Sequence, residues 1–211
     1  MEADYWHQKW TKNDIPFHNA EAHPLLVKHF GALELATGSR VFVPLCGKTR
    51  DIAWLLSQGH RVAGAELSRL AVEQLFEELG VVPETAQAGA VEHFSAEGID
   101  VFVGDIFGLS GELLGAVDAV YDRAALVALP EAVRRRYSAH VTEITGGARQ
   151  LLICFEYDQA AQPGPPFAIP AEEVAAHYGA SHGVALLERA ALAGGLKGIC
   201  PADEVVWRVG R

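Results

Sequence analysis

Short apolar runs alternate along the chain with stretches in which apolar positions recur every three or four residues. The first run, residues 41–45, is apolar on successive positions, as in a strand buried on both faces of a parallel sheet. It passes through a turn at Gly47 into a segment whose residues Ile52, Leu55 and Leu56 share one helical face. Strand, turn and helix in this order predict the first unit of an α/β fold.

The alternation continues to the end of the sequence. Further strands or strand fragments are predicted over residues 60–66, 91–94, 99–103, 116–121 and 150–155, with a polar connector over 83–90. Helices are predicted from Ser68 to Gly80, from Pro130 to Gly146 and from Glu172 to Tyr178. Residues 184–187 and 204–209 leave no room for a full helix between them, so they predict a closing hairpin with one antiparallel strand.

These elements predict a Rossmann-like, doubly wound α/β fold with a mostly parallel sheet of seven strands. No internal repeat or linker divides the 211 residues, so we expect one domain over residues 1–211. Residues 1–39 precede the first strand and carry aromatic side chains and four histidines without the spacing of a metal site. We expect this extension to form a helical lid, and we expect no metal.

Composition and charge restrict the classes of function that the protein can have. Hydrophobic residues make up 50% and charged residues 21% of the sequence, as in globular enzymes. The formal net charge of −10 would repel a nucleic-acid backbone, so no nucleic-acid partner is expected. The basic run at residues 134–136 is interpreted as a solvated helix face.

The cysteines and the N-terminal sequence indicate the cellular compartment in which the protein is expected. Three cysteines without a C-x-x-C pair support neither a disulfide framework nor a zinc cluster, which favours a reducing compartment. No secretory signal or membrane-length apolar run is found, so we expect a cytoplasmic protein without membrane attachment.

Polar or glycine-containing groups follow four of the predicted strands: Gly47, Glu66, Asp105 and the pair Asp122 and Arg123. The carboxyl ends of parallel strands meet at one edge of a sheet, where α/β folds bind nucleotides. Glu66 lies about 20 residues beyond the first turn, the spacing at which such folds place a carboxylate on ribose hydroxyls. A solvated loop acid is the alternative interpretation of Glu66.

The turn itself restricts the cofactor. The sequence Pro-Leu-Cys-Gly-Lys at residues 44–48 is not G-x-G-x-x-G, and it lacks the earlier glycine of a P-loop. S-adenosylmethionine contains a ribose and an adenine but no phosphate, so a carboxylate and a single glycine suit it better. A nicotinamide-dependent oxidoreductase and a non-catalytic cofactor-binding protein remain the alternatives of a different class.

Several motifs together closely resemble the thiopurine S-methyltransferase family of bacterial type. They are WHQKW at 6–10, FH at 17–18, VFVPLCGK at 41–48, GAELS at 64–68, YDRAAL at 121–126 and PGPPF at 163–167. The resemblance runs from about Tyr5 to Trp207. It departs at residues 190–197, where an arginine-rich segment of the family is replaced by AALAGGLK, so that acceptor preference is open.

The resemblance implies a class I methyltransferase that uses S-adenosyl-L-methionine. It implies cofactor contacts by Trp10, Leu45, Glu66 and Arg123, with Asp105 and Ile106 beside the adenine. It also implies that Trp6 and Phe17 belong to the aromatic lid and contact the substrate, and that Pro165, Pro166 and Phe167 lie near the acceptor pocket.

The expected reaction is methyl transfer to a thiol, such as a thiopurine, with selenium or tellurium oxyanions as alternative acceptors. The partner is then a small molecule, and we expect a monomer. Arg123 is expected to orient the acceptor or favour its anionic form; a salt bridge to Asp122 is the alternative. Cys46 is interpreted as a packed turn residue, and Trp6 and Trp10 could instead belong to the core.

Overall fold

The computed structural model describes residues 3–179 and 183–210, whose strands form one nine-stranded sheet. The strands are β1 (Arg40–Pro44), β2 (Arg61–Glu66), β3 (Glu84–Ala88), β4 (Val91–Ala96), β5 (Ile99–Val103), β6 (Ala119–Arg123), β7 (Arg149–Tyr157), β8 (Val184–Ala191) and β9 (Ala202–Val209).

Helices flank this sheet and precede it. The described α-helices are α1 (Ala3–Thr11), α2 (Pro24–His29), α3 (Arg50–Ser57), α4 (Arg69–Leu79), α5 (Gly111–Leu114), α6 (Glu131–Ile144) and α7 (Ala171–Tyr178). Short 3-10 helices span Phe30–Leu33, Ile106–Gly108 and Leu126–Ala128. The predicted caps of α4 are confirmed, because the Ser68 hydroxyl accepts the N–H of Ala71 and Gly80 ends the helix at φ 70°.

The strands lie in the order β3-β4-β5-β2-β1-β6-β7-β9-β8. The five central strands from β5 to β7 pair in parallel, and β9 lies antiparallel between β7 and β8. The predicted Rossmann-like sheet and its closing hairpin are therefore confirmed. All parallel strands of the centre have their carboxyl ends at the same edge.

The predicted number of seven strands is wrong. The polar stretch 83–90, predicted as a connector, contains β3, which pairs antiparallel with β4, and β4 pairs antiparallel with β5. An edge strand is held by main-chain hydrogen bonds to a single neighbour and can keep both faces polar. Glu84, Thr85 and Gln87 are accordingly exposed, and no apolar alternation marks them as a strand.

The hydrophobic core divides into two layers, one on each face of the sheet. In β1, Val41 and Val43 pack on the face covered by α3 and α4, whereas Phe42 packs on the face covered by α6 and α7. Successive residues of β1 are buried on opposite faces, which confirms the prediction of a doubly covered strand. We find no helix within residues 3–179 and 183–210 with the length and apolar character that a bilayer crossing requires.

The interpretation of residues 134–136 as a solvated face is wrong for the first of them. Arg134 is only 5% exposed, and its guanidinium binds both carboxylate oxygens of Glu173 on α7 and the carbonyl of Leu129. Arg135 and Arg136 do face solvent. Three successive residues of a helix point in directions about 100° apart, so one member of the run can face the neighbouring helix while the others face solvent.

Candidate active site

The ends of β5, β2, β1 and β6 are neighbours in the sheet and form what we call the strand-end site. It comprises residues 45–49, Glu66, Asp105, Ile106 and Arg123. Main-chain hydrogen bonds join these ends, from Cys46 N–H to the Ala65 carbonyl and from Gly104 N–H to the Glu66 carbonyl, both at 2.9 Å. Residues up to 78 positions apart in sequence are thus brought to one edge, as predicted.

The turn after β1 is tight. Leu45 adopts φ 47° and Gly47 φ 52°, and a non-glycine residue such as Leu45 rarely occupies this left-handed region. A Cβ atom on Gly47 would lie 2.8 Å from the Cζ2 atom of the Trp10 ring, so only glycine allows that ring to reach the turn. Backbone strain of this kind costs on the order of 1–3 kcal/mol and is concentrated at functional sites.

Glu66 fixes the turn to the end of β2. Its side chain is buried, and its two carboxylate oxygens accept the N–H groups of Gly47 and Ser68, each at 2.8 Å. Burial raises the pKa of Glu66, while the main-chain N–H groups of Ser68, Gly47 and Leu67 oppose that rise. The alternative of a solvated loop acid is therefore wrong, whereas contact with a ribose stays a prediction.

Asp105 and Ile106 follow β5 and present contrasting groups. Asp105 is exposed and caps the 3-10 helix after it, its Oδ1 accepting the N–H of Phe107 at 3.0 Å. Ile106 is buried beside it. A carboxylate next to an apolar side chain could bind the amino edge and the face of an adenine, as the resemblance implies.

The two residues that end β6 point to opposite faces of the sheet. Asp122 is buried, and its carboxylate accepts the Tyr137 hydroxyl at 2.7 Å and the Leu126 N–H at 3.1 Å. Burial raises the pKa of Asp122 to about 6. The Asp122 carboxylate is bound by groups on the α6 face of the sheet, whereas Arg123 points to the other face. The alternative that Arg123 pairs with Asp122 is therefore wrong. Ala124, at φ 61°, makes the turn that follows.

Arg123 faces Asp51 instead. The Nη1 atom of Arg123 lies 3.8 Å from Oδ2 of Asp51, and its side chain is 15% exposed. Within residues 3–179 and 183–210 this is the one ion pair of Arg123, and no hydrogen bond of its guanidinium is observed. Asp51 is not among the residues predicted from the sequence; the one local signal for it is an acidic residue in the first turn of the helix that follows the Gly47 turn.

The N-terminal segment, residues 3–39, covers the turn with aromatic rings. Phe17 lies edge-on to both Trp6 and Trp10, with ring centroids 5.9 and 5.8 Å apart. Trp10 is buried and Trp6 half-buried, so Trp10 is both a core residue and a wall of the strand-end site. Burial, followed by the nearby ammonium of Lys48, lowers the pKa of His18 in the same segment.

The proline-rich loop forms a separate wall. Phe167 lines a cavity of about 690 Å³ with Tyr157, Arg134 and Arg189, between the start of α6 and the β8–β9 hairpin. The carbonyls of Pro165 and Pro166 accept hydrogen bonds from Lys197 at 2.8 Å and from the Tyr157 hydroxyl at 2.6 Å. The cavity lining shares none of the residues of the strand-end site. Contact of these residues with an acceptor therefore stays a prediction.

The donor set of the strand-end site fits S-adenosylmethionine. Each oxygen of Glu66 has accepted one N–H, which leaves acceptor capacity for the two hydroxyls of a ribose. The turn exposes too few N–H groups for a pyrophosphate, since Gly47 N–H is already bound to Glu66. Among the described residues no group of three or more metal-binding side chains is arranged around a common point.

Sequence comparison relates the chain to one family of known proteins. A sequence model of the thiopurine S-methyltransferase family matches residues 1–198. The chain is 59% identical over 212 residues to a thiopurine S-methyltransferase of Xanthobacter autotrophicus, covering the whole of both chains. It is 49% identical to one of Teredinibacter turnerae, covering 100% of this chain and 98% of that one.

Solved structures with low sequence identity share the fold. A Burkholderia thailandensis 1,6-didemethyltoxoflavin-N1-methyltransferase with bound S-adenosylhomocysteine matches with a TM-score of 0.66 at 17% identity, covering 99% of this chain and 87% of that one. A glycopeptide N-methyltransferase complexed with S-adenosyl-L-methionine matches with a TM-score of 0.60 at 16% identity, covering 92% and 96%. At these identities the likeness concerns the fold alone.

Proposed function

Because the chain belongs to the thiopurine S-methyltransferase family of S-adenosylmethionine-dependent methyltransferases, we propose that it methylates a thiol or thiolate acceptor such as a thiopurine. The product of the cofactor is then S-adenosyl-L-homocysteine. The observation that carries the proposal is Arg123, a partly exposed guanidinium at the strand-end site whose observed contact with protein is a single ion pair at 3.8 Å.

Arg123 has the properties required to bind an anionic sulfur. A guanidinium carries five N–H donors and stays charged at every working pH. The 3.8 Å separation from Asp51 exceeds a hydrogen-bond length, so these donors remain available to an acceptor. A positive charge at this point favours the thiolate over the thiol and thereby lowers the apparent pKa of the acceptor.

The remaining chemistry requires alignment. The cofactor supplies an electrophilic methyl group on a sulfonium, and the chain has to hold a nucleophile in line with it. Glu66 would hold the ribose, Asp105 and Ile106 the adenine, and the rings of Trp6, Trp10 and Phe17 would exclude water above the turn. Alignment of two reactants can supply roughly 7–11 kcal/mol of barrier lowering.

A second candidate acceptor is a selenium or tellurium oxyanion. Lys48 and Arg50 share the single carboxylate of Glu78, at 2.8 and 3.4 Å, beside His18. These cations and Arg123 leave a local positive charge in a chain of net charge −10. Such a field attracts any anionic acceptor, so it favours a thiolate and an oxyanion over a neutral amine or alcohol.

Two measurements test the proposal. Calorimetric titration with S-adenosylhomocysteine should give saturable binding, whereas NADH, the control for a nicotinamide enzyme, should give none. Methyl transfer to 6-mercaptopurine, thiophenol, selenite and tellurite is then followed by mass spectrometry of the products. Methylation of the thiols supports the proposal, and methylation confined to the oxyanions favours the second candidate. Binding without transfer to any of the four acceptors would contradict both.

A further inference from the structure

Asp51 lies at the centre of a buried polar cluster behind the strand-end site. It is the second residue of α3, only 2% exposed. Its Oδ1 accepts the main-chain N–H of His23 at 2.7 Å, and its Oδ2 accepts the hydroxyl of Tyr121 at 3.0 Å. The same Oδ2 faces Nη1 of Arg123 at 3.8 Å. This one carboxylate of α3 therefore contacts both β6 and the N-terminal segment.

The contacts of Asp51 differ in strength. The two hydrogen bonds fix the carboxylate plane, because each oxygen has a short bond to a group on a different element. The contact with Arg123 is longer and depends on charge alone. A fixed negative charge behind a guanidinium limits where that guanidinium can lie, while leaving its N–H donors on the open side for another anion.

The cluster also reaches the N-terminal segment. His23 ends the stretch that follows the aromatic rings, and its Nε2 lies 3.1 Å from Oε1 of Glu204 on β9. His23 is therefore anchored twice, through its N–H to Asp51 and through its ring to Glu204. The N-terminal segment is thereby joined at His23 to the carboxylate that faces Arg123.

We propose that Asp51 is the positioning residue for Arg123, and that it couples the guanidinium to the N-terminal segment at His23. This inference rests on the proposed function, in which Arg123 holds the anionic acceptor. Asp51 itself does not touch the acceptor. It sets the direction of the guanidinium and partly compensates its positive charge.

The Asp51 carboxylate and the Arg123 guanidinium act in opposite directions on the pH dependence of methyl transfer. The charged or titratable groups around the Asp51–Arg123 pair lie on several elements. They are Tyr121 on β6, Glu204 on β9, His18 and His23 in the N-terminal segment, Lys48 in the turn after β1, Arg50 on α3 and Glu78 on α4. Removing the Asp51 charge leaves the Arg123 charge uncompensated, which favours the acceptor thiolate further. Removing Arg123 has the opposite effect, so the two substitutions shift the acidic limb of the pH–rate profile in opposite directions.

The first test is Asp51→Asn, which removes the charge but keeps one oxygen as an acceptor. We expect a loss of about tenfold or more in kcat from misdirection of the guanidinium. We also expect the acidic limb to move to lower pH by about half a unit, while Arg123→Ala moves it to higher pH. S-adenosylhomocysteine affinity should stay within about twofold, since Glu66 is untouched.

Asp118→Asn is the matched control. Asp118 is an exposed aspartate whose carboxylate accepts a main-chain N–H, that of Arg40, at 2.7 Å near the opposite end of β1. It should leave kcat and the pH limb unchanged. If Asp51→Asn has the pH limb of the unsubstituted protein, or behaves like Asp118→Asn in kcat, the positioning role is wrong.

Tyr121→Phe provides a second variant in case Asp51→Asn does not fold. It keeps the charge and releases Oδ2 from its hydrogen bond, so the carboxylate compensates Arg123 more fully and the acidic limb should move to higher pH. An unchanged limb in Tyr121→Phe would overturn the proposal.

Hydrogen exchange separates this inference from the proposed function. In Asp51→Asn, or in Tyr121→Phe if the former does not fold, amides around His23 should exchange faster than in the unsubstituted protein with S-adenosylhomocysteine present. This readout needs no methyl acceptor, so it holds even if no thiol is methylated. Exchange around His23 that is unchanged in both variants would contradict the coupling, whatever the enzyme methylates.

Discussion

The ends of β2 and β6 lie at the same edge of the sheet but are held in different ways. The carboxylate of Glu66 is fixed by two main-chain N–H groups at 2.8 Å. The guanidinium of Arg123 faces one carboxylate across 3.8 Å. Short bonds suit a group that must hold a cofactor in one pose, whereas an arginine with free donors suits a group that binds a second reactant. We therefore propose that the end of β2 binds the cofactor and that the end of β6 binds the acceptor.

The largest effect is expected at Arg123. Assistance to the ionisation of a reacting group by a positioned side chain is typically worth about 10²–10⁴-fold in rate. We expect Arg123→Ala to lower turnover on this scale, and Arg123→Lys to lower it less, because lysine keeps the charge but not the planar fork. S-adenosylhomocysteine affinity, measured by calorimetry, should change little in either variant.

The pH dependence sharpens this prediction. Above the pKa of the acceptor thiol the nucleophile is already ionised, so Arg123→Ala should be partly rescued there. Equal losses of cofactor binding and turnover at every pH would place Arg123 with Glu66 on the binding side and remove the contrast between the two ends.

Asp122, the other residue at the end of β6, should contribute to the pH dependence of stability. Its pKa is about 6 in the fold and 3.8 ordinarily. A raised pKa means that the folded state holds the proton more tightly, so this contribution is full below about pH 4 and is lost as pH rises through about 6. The loss is roughly 3 kcal/mol for a difference of about two pKa units.

The measurement is the free energy of unfolding in denaturant between pH 4 and pH 7, for the unsubstituted protein and for Asp122→Asn. Asparagine has no proton to lose, so this part of the pH slope should disappear in the variant. Parallel pH slopes would show that the Asp122 carboxylate is not destabilised by its burial.

Cofactor affinity should depend on Glu66. We expect Glu66→Ala to weaken S-adenosylhomocysteine binding by about 1.5–3 kcal/mol, the range for hydrogen bonds to a charged group. The matched control is Glu84→Ala on the exposed edge strand β3, which should bind as the unsubstituted protein does. Unchanged affinity in a folded Glu66→Ala variant would show that Glu66 does not bind the cofactor. Its role would then be structural, through its hydrogen bonds to Gly47 and Ser68.

The smallest effect concerns the N-terminal segment. If the rings of Trp6, Trp10 and Phe17 close over the cofactor, amide exchange over residues 5–20 should slow when S-adenosylhomocysteine binds. Exchange around residue 84, at the distant edge of the sheet, serves as the internal reference. Identical exchange with and without ligand would show that the segment packs in the same way in both states and is not a lid.

The contrast between Glu66 and Asp51 indicates which site residues a sequence can reveal. Glu66 was predicted because a strand end and a fixed distance from the glycine turn identify it. Asp51 was missed because its partners Tyr121 and His23, 70 and 28 positions away, reach it only through the tertiary structure. Arg134 was misread for the same reason, since only the packing of α7 brings Glu173 to it.

The order of apolar and polar positions determined the parallel centre of the sheet, the helices on its two faces and the edge at which Gly47, Glu66, Asp105 and Arg123 meet. These features follow from local periodicity, because a strand buried on both faces needs successive apolar residues. The edge strand β3, the partner of Arg123 and the burial of Arg134 were decided only by the tertiary structure. Main-chain pairing at a sheet edge and ion pairs between distant elements impose no periodic pattern on the sequence. They therefore cannot be predicted from the spacing of residues along the chain.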